Sequence, residues 1–82
     1  MRAYPKLQTA VPLADYQLLL GYENGEQRLY NFKPNLNHKF YRPLADARLF
    51  KTVSVTDGEI EWATGQDFCP HTLYNDSAAV PE

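Results

Sequence analysis

Two dipeptides, Asn24-Gly25 and Asp57-Gly58, each flanked by short apolar runs, constrain this chain more than any other feature. A two-residue type I′ turn needs positive φ at both central positions, which Asn-Gly and Asp-Gly adopt readily, so each pair predicts a β-hairpin. In the first hairpin, residues 16–22 pair with 26–32, and a two-residue turn sets Glu23 opposite Glu26. Because side chains alternate along a strand, Tyr22 then faces Gln27, Leu20 faces Leu29 and Leu18 faces Asn31 on one side. Leu19 with Tyr30, and Gln17 with Phe32, occupy the other. Both faces are therefore partly apolar, and the face carrying Leu19, Tyr30 and Phe32 needs a cover: a loop, a tail or another subunit. In the second hairpin the same counting puts Val55 with Ile60 and Val53 with Trp62 on one face, and Ser54 with Glu61 and Thr56 with Glu59 on the other. That hairpin is one-sided, and its apolar face is expected to supply the densest part of the core.

Around the hairpins the pattern predicts short elements. Leu7, Thr9 and Val11 alternate in a first strand over 6–11 that Pro12 ends. A helical turn is expected over 34–39, and Asp46 can cap a short helix reaching Phe50 or Lys51. Pro70 suits the first position of a helix over 70–74. With 82 residues the chain makes at most one domain. The expectation is a two-layer α+β domain over 1–74, with an antiparallel sheet of about five strands, formed by the two hairpins and the N-terminal strand, and one or two short helices. Residues 75–82, with Asn75, Asp76, Ser77 and Pro81, read as a flexible tail.

Charge and composition narrow the function. A net charge of −2 argues against a protein that coats nucleic acid or an anionic membrane. No stretch approaches the roughly 18 apolar residues of a membrane span, and residues 1–20 show no signal-like apolar run, so a soluble cytoplasmic protein is expected. The charge is segregated. Residues 28–51 carry six basic groups (Arg28, Lys33, Lys39, Arg42, Arg48, Lys51) against Asp46, or +5, and residues 57–82 carry six acidic groups and no basic one, or −6. The two segments are expected chiefly to complement each other within the fold. The sharper alternative is a basic patch for an acidic partner or RNA.

The ordered set Asp15-Tyr16, Leu18, Leu20, Tyr22, Asn24-Gly25-Glu26, Lys33-Pro34, Pro43-Leu44, Asp46, Phe50, Val53, Val55, Ile60, Trp62, Gly65, Asp67, Pro70 and Leu73-Tyr74 resembles the bacterial domain of unknown function family 2442. The resemblance spans roughly residues 7–74, and its most specific part is W-x-x-G-x-D-x-x-P-x-x-L-Y. It implies a small α+β domain without an established activity. In that family some members stand alone beside a short neighbouring gene, an arrangement resembling a toxin and antitoxin pair, and others continue into a C-terminal helix-turn-helix. This sequence extends only eight residues past Tyr74, so DNA binding is not carried over. It also departs from the family at Ala63, where a Pro is common, and at Cys69, where an acidic residue is common.

Asp67, Cys69 and His71 are the only cluster that suggests catalysis, through a thiolate beside an imidazole. Catalytic thiol and base usually come from distant positions, and a helix start with an exposed His explains the cluster as well. Cys69, His71 and His38 fall short of the four ligands in spaced pairs that structural zinc takes. The four glycines are isolated, so no phosphate-binding loop is present. No cofactor, metal or catalytic residue is expected. RNA could stack on Tyr30, Phe32, Phe40 and Tyr41, interleaved with Arg28, Lys33, Lys39 and Arg42. The preferred interpretation is a non-enzymatic protein-interaction module, antitoxin-like or accessory to a small partner protein or pairing with a second copy. Leu19, Tyr30 and Phe32, with Arg28 and Lys33, are its expected partner-binding residues.

Overall fold

The computed structural model describes residues 4–80. Strands β1 (Leu7–Leu13), β2 (Gln17–Tyr22) and β3 (Gln27–Asn31) form an antiparallel meander, and β6 (Ala78–Ala79) closes it on the far side of β3. β4 (Ser54–Thr56) and β5 (Glu59–Glu61) pair in a separate two-stranded sheet. The helical part comprises 3₁₀ segments Lys33–Asn37 and Lys39–Ala45, α1 (Ala47–Phe50) and α2 (Pro70–Asp76). The domain is α+β and antiparallel as expected, with its strands divided between two sheets instead of joined in one.

The second hairpin has the expected register, Ser54 against Glu61, Val55 against Ile60 and Thr56 against Glu59. Asp57 and Gly58 hold φ of 52° and 84°, the positive pair a two-residue turn needs. The first hairpin is shifted by one residue from expectation. Tyr22 N–H donates to the Glu26 carbonyl at 2.9 Å, Gly25 N–H donates to the Tyr22 carbonyl at 3.0 Å, and Gly25 sits at φ 87°. The loop is thus three residues long, Glu23 to Gly25, ending in a glycine of positive φ. Glu23 is held instead by β1's side of the sheet: its N–H donates to the Lys6 carbonyl, and its carboxylate accepts from Lys6 N–H at 2.7 Å.

That single slip exchanges the faces of β3. Leu18 now stands opposite Tyr30, Leu19 opposite Leu29, and Leu20 opposite Arg28. Leu18, Leu20, Tyr22, Tyr30 and Phe32 all point inward, where they meet Leu44, Phe50, Ile60, Trp62 and Leu73. Phe32 and Trp62 rings lie 4.9 Å apart, and the Trp62 indole N–H donates to the Phe50 carbonyl at 2.9 Å. Ile60 and Trp62 are buried as expected, but Val53 and Val55 are only half-buried, so the dense centre lies on the first sheet. A register irregularity between Leu7 and Thr9 has a similar effect in β1, turning Leu7 into the core while Thr9 and Val11 face outward.

Residues 75–80, expected to fray, are instead ordered into the fold. α2 continues to Asp76, Ser77 is buried, and Ala78 and Ala79 pair with Leu29 and Arg28. Arg28 holds this segment from below: Nε donates to Ser77 Oγ at 2.7 Å, a terminal nitrogen donates to the Ser77 carbonyl at 2.6 Å, and the guanidinium lies 4.4 Å from the Tyr74 ring centre. Residues 81–82 of the expected tail lie outside the described residues.

Candidate functional site

The outward face of the four-stranded sheet follows from the registers. Val11 stands opposite Leu19, Leu19 opposite Leu29, and Leu29 opposite Ala78, so one apolar row crosses all four strands. Val11 is 47% exposed, and Leu13, one row away on the same face, is 41% exposed. Leu19 and Leu29 are half-buried and lie outside the set of side chains packed on the core. Toward the other end of the face Thr9 stands opposite Gly21, where a Cβ would lie 2.4 Å from the Thr9 hydroxyl. Gly21 therefore gives the Thr9 side chain room to lie across the sheet.

Of the three apolar residues expected to bind a partner, only Leu19 lies on the outer face of the sheet. Tyr30 (7% exposed) and Phe32 (fully buried) belong to the core because of the three-residue loop. Leu29 takes their position. Its signal was present in the sequence: with the turn one residue longer, Tyr30 and Phe32 fall in line with Leu18, Leu20 and Tyr22, and Leu29 faces out. Arg28 is directed inward and engaged, as above, with a further ion pair to Glu26 at 2.6 Å. Lys33 is exposed, but its ammonium donates to Asp15 at 2.9 Å, a contact that raises its pKa.

The clasp around Arg28 tunes its neighbours. The Arg28 hydrogen bond, then the Tyr74 hydroxyl, hold the Glu26 carboxyl below its ordinary range. The Glu26 acceptor in turn raises Tyr74. Burial pushes Tyr22 up to about 12, and its hydroxyl has no hydrogen-bond partner among the described residues.

The other chemical candidates are dispersed. Cys69 is exposed at the start of α2 and makes no side-chain hydrogen bond that caps the helix. The neighbouring Thr72 amide and hydroxyl, then the His71 amide, nevertheless draw the thiol below its ordinary range. The His71 ring is engaged by Asn75 at 2.8 Å, and Asp67 offers its backbone carbonyl to the Tyr41 hydroxyl. No hydrogen bond among the described residues joins the side chains of Asp67, Cys69 and His71. His38 accepts from Phe40 N–H at 3.2 Å. Of the four aromatics of the alternative RNA-stacking set, two are core and Tyr41 is half-buried, which leaves Phe40, 49% exposed, between Lys39 and Arg42. The segregated charges do not pair as expected. Arg28, Lys33 and Arg48 turn to Glu26, Asp15 and Asp46, and no ion pair among the described residues links segments 28–51 and 57–80. No described helix is long and apolar enough to cross a membrane.

Compared with known proteins, the chain matches a family model described as a protein of unknown function, DUF2442, over residues 1–79. No curated protein and no solved structure gives a match.

Proposed function

The chain belongs to the DUF2442 family, and on that premise we propose that it is a small non-enzymatic interaction module. Its partner is a small companion protein, bound in the manner of an antitoxin or accessory subunit, and its binding surface is the outer face of the four-stranded sheet. The observation that carries this is the apolar row of Val11, Leu19, Leu29 and Ala78, which the fold leaves off the core. Antiparallel sheets with one packed face normally present polar groups on the other, so a continuous apolar row marks a surface suited to association.

The test is affinity purification of the tagged protein from its native cells at modest salt, with mass spectrometry and light-scattering mass of the eluate, run beside a Leu19→Ser/Leu29→Ser variant. A stoichiometric small companion that the variant loses supports the proposal, provided the variant keeps its wild-type circular dichroism. A companion retained by the variant removes this face from the interaction. A wild-type dimer that becomes monomeric in the variant makes the partner a second copy. Co-purifying RNA, lost on Lys39→Glu/Arg42→Glu, would move the function to the patch around Phe40.

A further inference from the structure

A groove of about 330 Å³ runs between the β1–β2 loop and α1, lined by Pro12, Leu13, Ala14, Tyr16, Phe50 and Lys51, among others. We propose that it is a docking site for a peptide segment of a partner protein that presents a bulky apolar side chain next to a carboxylate. This rests on the interaction-module proposal and extends its surface, because Leu13 belongs both to the groove and to the outer face of the sheet.

The wall of the groove is built in advance. Asp15 and Tyr16 hold successive positive φ of 62° and 61°, a conformation that β-carbon sterics disfavour and that is unusual for a residue as bulky as tyrosine. Tertiary contacts impose it. The Tyr16 hydroxyl donates to the Ala45 carbonyl, its carbonyl accepts from Phe32 N–H at 2.9 Å, and its ring meets Phe50 edge-on at 5.3 Å. Asp15 accepts from Lys33. The half-buried Tyr16 ring thus stands fixed beside an open, largely apolar space, with the buried Phe50 behind it. The size is near the lower end for ligand pockets, which suits a single anchoring side chain.

Charge selects the neighbour of that anchor. The one acidic group lining the groove, Asp15, is paired with Lys33 at 2.9 Å. Lys51 lines it without an ion pair among the described residues. A carboxylate beside the anchor finds a cation there, whereas a basic group meets like charge at Lys51 and an Asp15 already engaged by Lys33.

The experiment titrates the ¹⁵N-labelled 82-residue chain with acetyl-Phe-Glu-amide, acetyl-Phe-Lys-amide and acetyl-Gly-Glu-amide, following backbone amide shifts. The expected result is saturable shifts at Ala14, Tyr16, Phe50 and Lys51 with acetyl-Phe-Glu-amide. Binding should weaken about two- to fivefold in Lys51→Ala, the range an exposed ion pair gives. It should weaken further for the other two peptides. Shifts that do not saturate, that fall elsewhere, or that are equal for all three peptides overturn the proposal. The Leu19→Ser/Leu29→Ser variant should bind the first peptide as the wild type does, so loss of the sheet-face partner and loss of groove binding are read separately.

Discussion

The two hairpins carry nearly the same turn signal and resolve it differently. Asp57-Gly58 forms the two-residue turn, whereas Asn24-Gly25 becomes the last two residues of a three-residue loop. Local chemistry permits both, since a glycine of positive φ serves either turn. Burial decides. With a two-residue turn, β3 would turn Leu29 and Asn31 inward, whereas the three-residue loop buries Tyr30 and Phe32. Each such aromatic contributes roughly 1.5–3 kcal/mol when buried, against the ~1 kcal/mol over which local strand preferences range. The second hairpin meets no such conflict, because its two-residue turn already places Ile60 and Trp62 together on the core. A turn signal fixes register only where the hydrophobic pattern agrees with it.

The largest effects are expected where the two faces of β3 differ most in burial. Phe32→Ala should cost about 3–5 kcal/mol and leave little folded protein, while Leu29→Ala should cost less than about 2 kcal/mol. Urea midpoints for the two variants check this, and the reverse order would restore the two-residue turn. Next come the turn glycines. Gly25→Ala and Gly58→Ala each place an L-residue at positive φ, at about 1–2 kcal/mol. Gly58→Ala should be the worse, because its Cβ would meet Lys6 Cγ at 3.2 Å while that of Gly25 meets open space.

A smaller effect is expected at the start of α2. Cys69→Asp should raise stability by about 0.5–2 kcal/mol, because a carboxylate accepts more strongly than a thiol from the Thr72 and His71 amides at the start of α2; an unchanged midpoint would show that the helix end is satisfied without one. The mildest test is pH. Glu26 on the first hairpin titrates below its ordinary value, so its clasp with Arg28 and Tyr74 stabilises the fold above that ordinary value. The contribution disappears as pH falls through the lowered folded value. The urea midpoint should therefore drop on acidification, and Glu26→Gln should flatten that drop.

Much of the fold could be read from local signals. Asp46 caps α1 as expected, accepting from Arg48 N–H at 2.9 Å, and Pro70 opens α2. The second hairpin's register could be counted from its turn. What escaped depends on contacts between distant residues. The irregularity after Leu7 has no glycine or proline to announce it, and arises where Leu7 enters the core while Thr9 faces Gly21. β6 is two alanines after a turn-like Asn75-Asp76-Ser77, recognisable only with Arg28 beneath it. On the candidate surface Leu19 was legible, while Leu29 was hidden by the turn ambiguity. The groove was invisible because it depends on two residues that tertiary contacts hold at positive φ.

The strand that closes the sheet also predicts an order of assembly. β1, β2 and β3 are neighbours in sequence and can zip up through short loops, but β6 must return to β3 from a clasp whose Arg28 and Ser77 are 49 positions apart. Contacts of such separation carry a larger loop-closure cost than the pairings within the meander, which predicts that they form later. The free edge of β3 is thus a transient template for strand pairing during folding. Refolding should show a fast meander phase and a slower one reporting on Tyr74 and Ser77, and only the slower should respond to Arg28→Met.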